Sequence, residues 1–154
     1  MKIFVAPLMV LFCVGCVTIP DTEDELKTNA YKVDKYCSPL SFTSTYEVVA
    51  KNTARCHAQN DDALVPAAGV FIPLSTQDIV KGEITVPNQM AKVLVEYKNP
   101  VEGGFLQAID IEATKSCAAE VSVFVLNDTK KWQTASESIP KWLNGDTESC
   151  FELF

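Results

Sequence analysis

From Val70 to Val125 the chain repeats one pattern: apolar side chains at every second position, broken by short polar turns. Val70, Ile72 and Leu74 alternate, and a break at "STQD" follows. Val80, Ile84 and Val86 then line one side of "DIVKGEITVP", with Gly82 as a bend or bulge. Val93, Val95 and Tyr97 alternate next, then Phe105, Ile109 and Ile111, and finally Val121, Val123 and Val125. Asn99-Pro100 and Gly103-Gly104 punctuate a turn. A period of two puts one set of side chains on a covered face and the other toward water, the signature of an antiparallel sheet with one face covered. About five strands are expected.

Helical spacing brackets this region. Phe42, Tyr46, Val49, Thr53 and Cys56 step by four and three, which lays them on one stripe. Ser44 and Glu47 have capping-box spacing, and Pro39 forbids helix just before. Near the C-terminus Trp132, Ala135, Ile139 and Trp142 or Leu143 form a second stripe, kinked or restarted at Pro140, with Asn144-Gly145 as its stop. "NDT" at 127–129 reads as a turn and helix start, and the apolar tail "SCFELF" is expected to pack. The expected fold class is α+β: a two-layer sandwich in which an N-terminal and a C-terminal helix cover one face of a meandering antiparallel sheet.

The N-terminus is of another kind. Lys2 precedes an apolar stretch at residues 3–14, too short and too sharply ended for a membrane span of about 20 residues. It closes on "LFCVGC" and is followed by the polar "PDTEDE". Val14, Gly15 and Cys16 resemble the lipobox of bacterial lipoproteins, with Cys13 where that family usually has leucine. The resemblance implies removal of residues 1–15, acylation of Cys16 (palmitate or a similar chain, with a diacylglycerol), and anchoring in a membrane. Val17, rather than aspartate, after that cysteine implies the outer membrane, with the domain facing the periplasm. An ordinary cleaved signal peptide and an uncleaved anchor are the alternatives.

Removal of residues 1–15 leaves 139, enough for one domain with a real core. The expected organisation is a signal peptide at 1–15, a lipid-anchored tether at 16–30, whose acidic cluster shows no apolar periodicity, and one α+β domain at 31–154. The whole chain carries a net charge of −7. That balance excludes nucleic acid, whose phosphates demand a basic surface, and suits either plain solubility or a cationic partner.

Four cysteines remain beyond Cys16: Cys37, Cys56, Cys117 and Cys150, an even number with no C-x-x-C pair. They read as two disulfides in an oxidising compartment, with three connectivities open. If the chain returns over the sheet through the C-terminal helix, Cys117–Cys150 is natural and leaves Cys37–Cys56. That second pair requires a helix starting near Ser44; a helix starting at Ser41 would run about 22 Å to Cys56 and favour cross-pairing.

Little in the sequence carries chemistry. His57 is the single histidine, beside Cys56, and reads as an exposed helix-end residue near the negative end of the dipole. Asp110 and Glu112 share a strand face, as acid–base carboxylates would and as solvated strand residues also do. Trp132 and Trp142 are candidate partner anchors, against the alternative that they are the core stripe of their helix. No metal site, cofactor or catalytic set is expected, and the chain is expected not to be an enzyme. The expectation is an outer-membrane-tethered periplasmic lipoprotein that acts as an interaction or envelope-maintenance module, with the membrane and a protein as partners. An acidic inhibitor or immunity-type protein against a cationic hydrolase or toxin, and a small apolar-ligand carrier, are the alternatives.

Overall fold

The computed structural model describes residues 18–57, 59–67 and 70–150. The expected signal peptide and Cys16 lie outside the described residues, as do the last four residues of the tail. In chain order the elements are α1 (Glu23–Thr28), β1 (Lys32–Ser38), α2 (Phe42–His57), β2 (Gln59–Ala67), β3 (Val70–Val86), β4 (Met90–Lys98), β5 (Gly103–Glu112), β6 (Ala119–Val125) and α3 (Lys130–Leu143). The six strands form one antiparallel sheet in the order β1-β6-β5-β4-β3-β2. The fold is α+β, a meander from β2 to β6 with β1 added beside β6.

The alternation read from the sequence sets the two faces. Val93, Val95, Ile109, Ile111, Val121, Val123 and Val125 point into one core, shared with Phe42, Val49 and Cys56 of α2 and with Trp132, Ile139 and Trp142 of α3. Leu94, Ala108 and Phe124 alternate to the other side, where they meet Leu26 of α1. The sheet therefore has helical cover on both sides, unequal in extent.

Three elements depart from expectation. β1 has no apolar alternation because its inward positions are polar: Asp34 accepts from Ser136 Oγ at 2.7 Å, Tyr36 meets the same hydroxyl at 3.3 Å, and Ser38 bonds Thr45 at 2.7 Å. An edge strand that binds a helix through hydroxyls leaves no hydrophobic period to read. β3 runs unbroken through "STQD", so two expected strands are one of 17 residues. Gly82 within it is no bulge; the register shift falls between Ile84 and Val86. A Cβ at Gly82 would sit 2.8 Å from the Tyr46 hydroxyl, so the glycine lets α2 settle on the strand. The third departure is the stretch expected to be a tether. Residues 18–29 fold onto the sheet, and α1 buries Leu26 completely.

The disulfides are not Cys117–Cys150 and Cys37–Cys56 but the cross-pairing expected of a longer helix. Cys37 bonds Cys117 and Cys56 bonds Cys150, with Cα–Cα distances of 5.6 and 5.4 Å. The reason is helix length. Ser41 Oγ, not Ser44, caps the helix by accepting from Ser44 N at 3.2 Å, so α2 has 16 residues and is about 24 Å long. Cys56 thus lies far from Cys37. The β1 edge strand, meanwhile, sets Ser38 opposite Ala119 and brings Cys37 beside the loop holding Cys117. At the other end, Arg55 donates to the carbonyls of Thr147, Glu148 and Ser149, and Trp142 Nε1 donates to Ser149 O at 2.8 Å. Those bonds seat the C-terminal segment so that Cys150 reaches Cys56. α3 continues through Pro140 and ends at Asn144-Gly145, where Gly145 adopts a φ of 98°.

β2 pairs with only part of β3. Residues 70–78 of β3 face β2, whereas residues 77–86 face β4. The ladder with β4 ends at Gln77–Lys98, so β2 and the first half of β3 form a two-stranded ribbon that runs past the end of the main sheet.

Candidate functional site

The end of the sheet from which the ribbon leaves is also where the N-terminal segment enters. Pro20 O accepts from Phe105 N at 2.9 Å, and Ile19 packs against the main core. A Cβ at Gly104 would fall on Pro20 O and on Ile19 Cγ2, so only glycine admits the segment here. Gly104 pairs with Tyr97, one rung inside the Lys98–Gly103 end of the β4–β5 ladder. Thr18, Ile19, Asp21, Glu102 and Gly103 line an open groove of 440 Å³ at this edge.

Beyond Pro20 the chain turns into α1. Thr22 is its N-cap, accepting from Glu25 N at 3.1 Å, and Glu25 returns the favour by accepting from Asp21 N at 3.1 Å. A helix of six residues cannot hold itself together in water. Tertiary contacts hold it instead. Leu26 is its apolar peg, and Lys27 Nζ reaches Glu23 and Asp110, each at 2.7 Å. Lys92 adds a second cation on Glu23 at 2.9 Å. Partial burial pushes the Glu23 carboxyl up, but the two lysines more than offset this and hold it below the usual carboxylate range. For Lys27, burial acts to lower its pKa, and the carboxylates of Asp110 and Glu23 raise it overall. Of the acidic cluster, Glu23 therefore belongs to an ion-paired seam, while Asp21, Asp24 and Glu25 are exposed.

This accounts for Asp110. It binds Lys27 as a structural partner of α1 rather than standing with Glu112 as an acid–base pair; Glu112 is exposed on the same strand, opposite Glu120. His57 is not an exposed helix-end residue: it is 2% exposed and stacks on Trp132, with ring centroids 5.3 Å apart and planes 12° from parallel. Burial first, and then the Lys131 charge, push its pKa down to about 3, so the imidazole is neutral. Trp132 and Trp142 are 5% and 1% exposed. Neither offers surface to a partner; both are core. Cys37, Cys56, Cys117 and Cys150 are all in disulfides, and Cys16 lies outside the described residues. Among the described residues no group of histidine, cysteine, aspartate and glutamate is arranged to hold a metal, and no helix is long and apolar enough to cross a membrane.

The ribbon is what the residue-by-residue reading missed. Its signal was present: from Ala63 to Leu74 the sequence has no charged residue, no hydroxyl and no amide side chain. No known protein family, curated protein or solved structure matches the chain.

Proposed function

We propose that this chain is a lipid-anchored envelope protein, acylated on Cys16, that works by binding at the periplasmic face of the outer membrane rather than by catalysis. The observation that carries the reading is the junction at its N-terminus. A lipobox-like "CVGC" is followed, two residues later, by chain that is already packed into a groove of the domain. The two disulfides support an oxidising compartment. Acylation with more than one chain would hold the protein durably, since a single chain binds only marginally. The folded residues 18–29 make this a short leash: the domain would sit against its membrane instead of ranging on a long tether.

The inhibitory reading rests on net charge alone, and among the described residues seven acidic side chains are already engaged in ion pairs with lysines. The carrier reading needs room between the helices and the sheet, where Val49, Val93, Ile109, Trp132 and Trp142 pack together.

Intact-mass spectrometry of the native protein tests the anchor. The expected mass begins at Cys16, carries a diacylglycerol and an acyl group, and rises by about 4 Da when two disulfides are reduced. An unacylated mass, with the protein in the soluble periplasmic fraction, overturns the proposal.

A further inference from the structure

The ribbon changes polarity along its length. Its four basal rungs are Gln59–Asp78, Asn60–Gln77, Asp61–Thr76 and Asp62–Ser75, every residue polar or charged. The five outer rungs are Ala63–Leu74, Leu64–Pro73, Val65–Ile72, Pro66–Phe71 and Ala67–Val70, every residue apolar. A strand packed on a core alternates polarity across its two faces. Here the change falls at a single rung and divides base from tip, a division suited to an arm whose end enters an apolar medium.

A lone two-stranded ribbon is at best marginally stable in water, and five consecutive all-apolar rungs at its end call for something to cover them. The occupant follows from where the ribbon leaves. Its base lies at the Gln77–Lys98–Gly103 end of the sheet, and Pro20 docks one to two rungs inside that same end, on the strand two places away. At strand spacings of about 4.8 Å, ribbon base and N-terminal clamp are about 10 Å apart across the sheet. From Ile19 back to Cys16 is three residues, a reach of about 10 Å. The ribbon runs on from Gln77 to Val70, about 24 Å of strand, of which the outer 14 Å or so is apolar. Whatever bilayer the lipid of Cys16 enters is therefore within the ribbon's length.

We infer that the apolar tip of the β2–β3 ribbon, residues 63–67 and 70–74, beds into the same bilayer as the lipid on Cys16, giving the domain a second membrane contact and a fixed orientation. This rests on the anchoring proposed above. The tip enters the boundary between headgroups and acyl chains, at a tilt, rather than spanning. Open strand edges carry backbone groups that hydrocarbon cannot satisfy, and the headgroup region can satisfy them. Pro66 and Pro73 remove two of the backbone donors that such an edge would expose. At the base, Asp78 is held to α3 by Lys131 at 3.2 Å.

The test uses full-length protein, purified as made and reconstituted into phosphatidylcholine vesicles with or without brominated acyl chains. The variants are Phe71→Trp near the tip, Val70→Trp as its second form should the first fail to fold, and Met90→Trp at the opposite end of the sheet, where Met90 is 45% exposed. The added tip fluorescence is expected to be quenched at least about twofold by bromine, and that of M90W to stay at the level of the wild-type tryptophans. Intact mass of the same sample reports lipid on Cys16 independently. Absence of tip quenching in acylated protein overturns the ribbon inference and leaves the anchor standing. Tip quenching in protein without lipid supports the ribbon and overturns the anchor. Equal quenching at both ends refutes the orientation. A tip shielded from acrylamide in native membranes yet untouched by bromine in the vesicles would mean that a protein covers the ribbon and the bilayer does not.

Discussion

Acidification from pH 7 to pH 5 should destabilise this protein through one residue, His57. In the unfolded chain an imidazole titrates near 6.5; in the fold, burial against Trp132 and the nearby Lys131 push it down to about 3. The sign follows from proton binding. Below pH 6.5 the unfolded state takes up a proton that the folded state refuses, so stability is complete above that value and falls as pH drops toward 3. At pH 5 the loss is about 1.4 kcal/mol for each of roughly 1.5 pH units, or about 2 kcal/mol. The size depends mainly on the unfolded pKa, because pH 5 lies well above the folded one. Glu23, whose pKa is lowered, keeps its contribution down to about its ordinary value of 4.5, so the window from 7 to 5 isolates the histidine. The assay is urea unfolding of the oxidised protein, followed by tryptophan fluorescence, at both pH values, on wild type and His57→Gln. Wild type should lose about 2 kcal/mol, or about 4–8 °C in Tm. The variant starts from a lower stability at pH 7 but should show little of this slope. Equal pH slopes for the two proteins would refute the argument, whatever their offset.

Four further outcomes test the packing. Leu26→Ala, which empties the only fully buried position of α1, should cost about 2–4 kcal/mol in urea unfolding; a cost under about 0.5 would mean that α1 is not part of the cooperative unit. Gly104→Ala should push Pro20 and Ile19 off the β5 edge, at about 1–3 kcal/mol, and speed hydrogen exchange at the Phe105 amide about tenfold or more; unchanged exchange there would contradict the clamp. Gln107 is 1% exposed, and neither atom of its amide meets a partner among the described residues, so Gln107→Met should stabilise by about 1–3 kcal/mol, whereas a loss of stability would show that the amide is in use. Replacing Cys56 and Cys150 together by serine should cost about 2–5 kcal/mol, since the bridge closes a loop of 94 residues; peptide mapping of the wild type should recover Cys37 with Cys117 and Cys56 with Cys150, and recovery of Cys117 with Cys150 would contradict the fold.

Local pattern was enough for the elements that use it. The alternation at Val93, Val95, Ile109, Ile111 and Val121 to Val125 named three strands and their inward faces, and the stripes of Phe42 to Cys56 and Trp132 to Trp142 named two helices. Each of these segments buries aliphatic or aromatic side chains against its neighbours, so burial writes its period directly into the sequence. The cysteine count likewise announced two disulfides. Tertiary structure decided what depends on partners distant in the chain. β1 went unread because its buried face is Asp34, Tyr36 and Ser38, bonded to hydroxyls of α2 and α3. α1 looked like a solvated tether because one leucine and an ion-paired seam to Lys92 and Asp110 hold it, and neither has a local period. His57 is buried because α3 brings Trp132 over the end of α2. The disulfide pairing turned on the local cap at Ser41, which sets where α2 begins, and on β1 lying beside β6, a long-range fact. The ribbon's polarity divide was written in the sequence as an uncharged run. Only the register, by pairing apolar rung with apolar rung at the end of the sheet where Pro20 docks, made it an arm with a direction.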